Sequence, residues 1–448
     1  MISSSVPARV CSSTARSLQV SSLLRHGISP SSCDALQFSL FARNLQCSAQ
    51  HPRQNALHST SRRSFHSSSR QQSKSSSSFN RISYKVAVSS SGKGRRFHPL
   101  KNAYHFDPAV SDVIGVSRDP DPGVRRRNRP DSGEDAFFVS RVGAETSGHP
   151  DTDGAVAFAI ADGVGGWTES RVDPADFSHG LCGYMAQSAL AWDSPAEKLR
   201  PKQLLQAGYD QIVKDPTIKA GGSTASVGVA LPDGRVELAN LGDSGSVLLR
   251  LAAVHHYSVP QTHGFNTPYQ LSVIPPKMRA QASVFGGSFL EDTPQDAAVT
   301  NVQMQHGDVL ILATDGVFDN LNNQDILKIV TTRMVMTGAW TATEDSGVKI
   351  SDEIARLTVP GGLATAFPPP KSTDKNQQAL ESVYTLQSLL AASIAGEAKV
   401  ASMDFRRDGP FAKEAQRYYP GDYYRGGKVD DICALVMVAI DESLIKAE

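Results

Sequence analysis

The sequence predicts an α+β protein of mostly antiparallel sheets flanked by helices, and three observations predict it. Strand-like apolar runs arrive in neighbouring groups. Turn sequences such as Pro232-Asp233-Gly234 and Gly242-Asp243-Ser244 separate the members of a group, as hairpins require. Helical patterns fall between the groups and do not alternate one for one with strands, which argues against a doubly wound parallel sheet.

Taken in order, Ile82 to Val88 alternates well enough to be a first strand, although it lies in Ser-rich surroundings. Ala155 to Ile160 is a buried-strand run, and Phe177 to Leu190 carries apolar residues at near-helical spacing. Leu204 to Val213 reads as a second helix. Residues 223–231, 236–241 and 245–251 read as three strands of a hairpin series. Val309 to Ala313 is a strand, Gln324 to Val335 a helix, and Cys433 to Ile440 a last strand. A Thr-, Gly- and Pro-containing insertion at about 338–375 has the length of a surface elaboration, and a helical pattern follows it from Gln377 to about Met403.

The charge distribution divides the chain. Residues 1–100 carry 14 Lys and Arg against one acid, Asp34, whereas the other 348 residues carry 31 basic against 44 acidic side chains. The net charge of zero hides two opposite parts. The leading segment is rich in Ser and Arg, has one short amphipathic stretch at Leu18 to Arg25, and lacks the continuous apolar core of a secretory signal. It reads as an organelle presequence over 1–65, with Arg62-Arg63-Ser64-Phe65 resembling the processing site of fungal mitochondrial presequences. A Ser-rich linker is expected over 66–98 and the folded domain over 99–448. The cations of the tail are scattered without interleaved aromatics, so nucleic-acid binding is not expected.

Cys11, Cys33 and Cys47 lie in the leading segment, leaving Cys182 and Cys433 in the folded part. Two distant cysteines without a Cys-x-x-Cys pair fit buried apolar positions better than a zinc site or a disulfide framework. No window reaches about 18 uninterrupted apolar residues, so no spanning helix is expected.

Acidic residues at strand ends carry the chemistry. Ala161-Asp162-Gly163 and Ala313-Thr314-Asp315-Gly316 each end an apolar run in Asp-Gly, while Glu134-Asp135 and Asp430-Asp431 abut other strands. A single Asp-Gly is usually a turn, and Asp319-Asn320 suits a turn or a helix cap equally well. Neighbouring strands would gather these carboxylates at one edge. There they would repel one another unless a cation sits among them. The donors are all oxygen, which selects Mg²⁺ or Mn²⁺ over Zn²⁺. Two such ions at roughly 4 Å can hold a bridging water for in-line attack on phosphorus.

The ordered set Gly133-Glu134-Asp135-Ala136, Ala161 to Gly166, Gly222-Ser223-Thr224-Ala225, Asn240 to Ser244, Ala313 to Asp319 and Asp430-Asp431-Ile432 resembles the metal-dependent type 2C (PPM) Ser/Thr protein phosphatases. Gly166-Trp167 and Phe265 to Leu271 further resemble their mitochondrial branch. The resemblance implies a sandwich of two antiparallel β-sheets with helices outside and metals at one end. It implies that Asp162 bridges two Mn²⁺ or Mg²⁺ ions, that the Gly163 carbonyl and Glu134 bind one of them, and that Asp315 and Asp430 bind the other. Catalysis would then rest on Asp162, Glu134, Asp315 and Asp430. Asp135 and Asp431 would support the ligands from behind, and Asp243 matches a residue that some relatives use for a third ion.

Two positions depart from the family pattern. Many members have His directly after the first Asp-Gly as a proton donor, and here it is Val164; His179, His255, His256 and His263 are the candidates for that role. The family's phosphate-binding Arg lies upstream of the Glu, where Arg127 and Arg129 are nearest. The resemblance thus implies a mitochondrial phosphatase of phosphoserine and phosphothreonine, placed in the matrix and monomeric. Phosphoproteins are its expected partners, coenzyme Q biosynthesis proteins among them. The alternative is a pseudophosphatase that only binds such proteins, motivated by Val164.

Overall fold

The computed structural model describes residues 81–146, 154–285, 289–345, 347–366, 384–421 and 423–445, all within a unit running from Ser75 to Glu448. The presequence expected at 1–65 lies outside the described residues.

Two six-stranded antiparallel sheets form the frame. The first runs in the order Ala253–Tyr257, Gly245–Arg250, Val309–Ala313, Ile432–Asp441, Ile82–Ser91, Ala103–Phe106. The second runs Ala298–Gln303, Arg235–Leu241, Ala225–Ala230, Val156–Asp162, Asp135–Arg141, Val113–Ile114. Side-chain alternation explains how they stack. In Val156–Asp162, Phe158 and Ile160 enter the core between the sheets, while Ala157, Ala159 and Ala161 face outward into a second core. Those small outward residues let the helix Pro174–Leu190 lie close, with Phe177, Leu181 and Met185 filling the space. The first sheet repeats the arrangement: Leu435 and Met437 point inward, and Ala434, Val436 and Val438 meet a third core built with Leu386–Ser402 and Asn323–Met336. The result is a four-layered helix–sheet–sheet–helix sandwich, the α+β class read from the sequence.

Helix starts are set by caps. Pro174–Leu190 begins three residues before the apolar pattern, because Asp173 accepts the Ala175 N–H at 3.2 Å and Pro174 occupies the first turn. Asn322 and Asp325 cap Asn323–Met336 reciprocally.

Two expected boundaries are corrected. The linker expected over 66–98 does not extend to 98, since Ile82–Ser91 pairs along its whole length with Ile432–Asp441 and is an interior strand. Ser89, Ser90 and Ser91 are fully buried there, so Ser content was a poor guide to exposure. The insertion at 338–375 is partly core: Trp340, Ile354 and Leu357 are buried in the cluster beneath the first sheet. Residues 367–383 of this region lie outside the described residues.

Candidate metal centre

The site is assembled where strand ends of both sheets meet. In the second sheet Asp135 is the register partner of Asp162, so the two carboxyl-bearing positions lie side by side. In the first sheet Ala313 pairs with Ala434, which brings Asp315 and the Asp430-Asp431 pair to one edge. Thr314 ties the sheets together there. Its hydroxyl donates to Asp135 Oδ2 at 2.8 Å and accepts the Cys433 N–H at 3.1 Å.

The Glu134 loop is held by Asp431, whose Oδ2 accepts the Glu134 N–H at 2.8 Å and whose Oδ1 accepts the Lys93 N–H. This closeness demands glycine at Gly133, which has φ 71° and whose added Cβ would lie 2.0 Å from Asp431 Oδ1. Gly316 is likewise required, since a Cβ there would meet the Asp431 carbonyl oxygen at 1.8 Å.

The backbone of Asp162 is braced from the other side. Ser223 Oγ and the Thr224 N–H donate to its carbonyl at 2.8 and 2.9 Å, and its own N–H donates to Thr224 Oγ1 at 3.2 Å. Thr224 Oγ1 in turn lies 2.8 Å from Ser244 Oγ. The Gly222–Ala225 and Asn240–Ser244 motifs therefore fix Asp162 as well as packing the sheet.

Charge is unbalanced here. Burial, then the neighbouring Asp315 and Asp135, raises the Asp162 pKa well above the carboxylate range; Asp135 is raised by burial and Asp431. Burial and Asp315 push Asp243 up to about 7, and burial with Asp431 and Asp430 pushes Glu134 up to about 7. Oδ1 of Asp135 and Oδ1 of Asp243 are buried with no hydrogen-bond partner. Burial also raises Asp315, but the Lys428 ammonium beside it overcomes that and holds it below the ordinary range. Lys428 Nζ lies 2.6 Å from Asp315, 2.7 Å from Asp319 and 3.1 Å from Asp430. Lys93 Nζ adds a contact with Asp430 Oδ1 at 3.3 Å from an exposed side chain. Two ammonium groups cannot neutralise so many carboxylates, and Asp319 is raised by burial and by Asp315 despite its contact with Lys428.

Hard divalent cations fit this donor set: it is all oxygen, over-supplied with carboxylates, and has two buried oxygens lacking any donor. Among the described residues no three acidic side chains are drawn around one point tightly enough to hold an ion as they stand. The Lys428 ammonium lies among three of them.

The structure thus brings together Glu134, Asp135, Asp162, Gly163, Asp243, Asp315, Asp430 and Asp431. It does not bring Arg127 and Arg129 into the cluster as free cations: Arg127 is exposed, and Arg129 pairs with Asp176 at 2.5 Å and Asp173 at 3.5 Å. The histidines are held in other roles. His179 is buried, and burial followed by nearby Arg129 lowers its pKa to about 3, leaving it neutral. His263 lies 2.9 Å from Asp292 and stacks on Tyr269, and His255 and His256 belong to the edge strand Ala253–Tyr257. Sequence reasoning missed Lys428 and the part played by Asp319. The available signal was Gly426-Gly427-Lys428, which sets a cation two residues before Asp430.

A family model described as protein phosphatase 2C matches residues 145–349. "Protein phosphatase 2C homolog 7, mitochondrial" of Saccharomyces cerevisiae is 31% identical over 386 residues, 86% of this chain and 93% of its own length. "Protein phosphatase PTC7 homolog" of Danio rerio is 30% identical over 74% of this chain and 89% of its own. Among solved structures, that of the photosystem II phosphatase PBCP is 24% identical, covers 73% of this chain and 97% of its own, and has a TM-score of 0.45. Similarity to the yeast protein spans strands of both sheets and nearly the whole relative, so the chain belongs to the protein phosphatase 2C family and is a protein-serine/threonine phosphatase.

Proposed function

We propose that this chain dephosphorylates phosphoserine and phosphothreonine in mitochondrial proteins, with two divalent ions, Mn²⁺ or Mg²⁺, held by Asp162, the Gly163 carbonyl, Glu134, Asp315 and Asp430. Asp243, its Oδ1 buried without a partner, is the proposed ligand of a third ion. The single observation that carries this reading is the excess of buried carboxylate over cation at one strand edge. Bound there, the ions would supply activation of water and neutralisation of phosphate charge.

The chain's own residues supply position. Asp431 and Gly133 aim Glu134, Thr314 fixes Asp135 behind Asp162, and Ser223 and Thr224 hold the Asp162 backbone. Val164 sits where many relatives carry the proton donor, and none of the four candidate histidines replaces it by an interaction described above. The leaving alkoxide would then take its proton from water. Arg129 would serve phosphate only by leaving Asp176, and Arg127 is an exposed side chain. The basic, acid-poor leading segment and the mitochondrial relatives support import, and we assign the matrix as the compartment, with phosphoproteins there, those of coenzyme Q synthesis among them, as substrates.

The test is release of phosphate from phosphoserine and phosphothreonine peptides with and without Mn²⁺ or Mg²⁺. Asp162→Asn and Asp315→Asn should each lower the rate by roughly a hundredfold or more. Full activity in either variant would remove the assigned site, and peptide binding without turnover in the wild type would favour the pseudophosphatase reading.

A further inference from the structure

Among the described residues two ammonium groups reach the carboxylate cluster: Lys93 Nζ lies 3.3 Å from Asp430 Oδ1 on an exposed side chain, whereas Lys428 is held inside. The three ammonium donors of Lys428 meet three carboxylates, Asp315 at 2.6 Å, Asp319 at 2.7 Å and Asp430 at 3.1 Å. The side chain is 16% exposed, and Nζ lies 5.0 Å from the centroid of the Phe411 ring. Its backbone is clamped by buried Asn320, which accepts the Lys428 N–H and donates to the Lys428 carbonyl, both at 2.9 Å, and also donates to the Gly316 carbonyl next to Asp315. The lysine backbone is therefore tied through Asn320 to the separate segment that carries Asp315 and Asp319, two of the acids it contacts.

We infer that Lys428 is an intramolecular counter-cation that competes with one divalent ion for Asp315 and Asp430, so that the centre fills in two unequal steps. The inference rests on the metal-site reading above. On the Asp162–Glu134 side, among the described residues, no ammonium lies within ion-pair distance of either carboxylate, and an ion entering there relieves carboxylate repulsion without displacing a counter-charge. On the Asp315–Asp430 side an ion must displace the ammonium from Asp315 and Asp430, two charge-assisted contacts, before it gains its own. Asp319, which is not among the expected ligands of either principal ion, remains as the partner that keeps the displaced ammonium nearby. In the metal-free protein the lysine offsets repulsion among acids that would otherwise be buried together without a counter-charge.

The test is calorimetric titration of the metal-stripped full chain with Mn²⁺, comparing wild type with Lys428→Met, which keeps the length and apolar stem. The wild type should bind in two resolvable steps, and the substitution should tighten the weaker step by about tenfold or more. Because the variant loses an internal counter-charge and its metal-free form is at risk of unfolding, a second measurement uses the wild type alone. Reductive methylation read by mass spectrometry should modify Lys428 several-fold faster in Mn²⁺-saturated than in metal-free protein, other lysines serving as internal controls. Two ions bound with unchanged Lys428 reactivity, or a Lys428→Met affinity equal to or weaker than wild type, would overturn this inference alone. A wild type that takes up no Mn²⁺ would overturn the metal-site reading and this inference with it.

Discussion

Asp431 Oδ2 accepts the Glu134 backbone N–H at 2.8 Å, across nearly the full length of the folded chain. Asp431 also accepts the Lys93 N–H, so one carboxylate sets the loop that aims Glu134 and anchors the end of the first strand. Substituting Asp431→Ala should leave both N–H groups without their acceptor and cost about 2–3 kcal/mol. Mn²⁺-dependent activity should fall by roughly 10 to 100-fold, as removal of a group supporting a metal ligand does. Thermal melts and phosphopeptide kinetics check the two effects separately; full activity in the variant would mean that Glu134 is positioned by something else.

Gly133 gives the same contact a second test. With φ 71° and Asp431 in the place a Cβ would take, Gly133→Ala cannot be accommodated without moving the Glu134 loop. The left-handed backbone alone costs about 1–2 kcal/mol for an L-residue. Activity should therefore drop more than stability, a separation visible as a large kcat/KM loss with a modest fall in Tm.

The gathering of the carboxylates proposed as metal ligands was legible in the sequence because each sits at the end of an apolar run or in a short motif, and strand register did the rest. Asp135 and Asp162 are register partners, as carboxylates abutting adjacent strands should be. Layer assignment was legible too, since the alanine-rich face of Val156–Asp162 distinguishes the helix side from the sheet side. The first strand was half hidden: Ser89 to Ser91 are polar by type yet fully buried, and composition cannot see that neighbouring strands and a helix cover them. Lys428 was hidden for a different reason. A lysine in a Gly-rich turn is ordinarily solvated, and only the approach of Asp315 and Asp319 from a strand end more than a hundred residues earlier shows otherwise.

Away from the site, Asp308 is 1% exposed and accepts from Arg250 Nε at 2.8 Å, Arg250 Nη2 at 2.7 Å and the Gln305 N–H at 2.7 Å. Removing the arginine leaves a buried carboxylate short of its counter-charge, so Arg250→Leu should cost about 3–5 kcal/mol. Asp308 precedes the strand Val309–Ala313, whose far end leads to Asp315, a separation of roughly 17 Å along the strand. Activity per folded molecule should be unchanged. Denaturant unfolding and specific activity after removal of unfolded material measure the pair, and a stable variant would show that the Gln305 N–H alone suffices.

Removal of metal should invert the usual pH dependence of stability. Burial with Asp431 and Asp430 raises Glu134 to about 7, and burial with Asp315 raises Asp243 to about 7. Both titrate near 4 in an unfolded chain. Between about pH 4 and pH 7 the folded state then holds more protons than the unfolded one, so the stability they allow is fully present below the unfolded values and is lost as pH rises through the folded ones. Asp315, which Lys428 holds low against the opposing effect of burial, is ionised in both states from about pH 5 upward and adds no slope there. The metal-stripped chain should accordingly melt at a lower temperature at pH 7.5 than at pH 5.5. Saturating Mn²⁺ should raise Tm most at the higher pH, where it no longer competes with protons for the same oxygens. Scanning fluorimetry with EDTA or Mn²⁺ across this range decides the matter, and a metal-free Tm that climbs with pH would show that Glu134 and Asp243 are ionised in the folded state without a cation beside them.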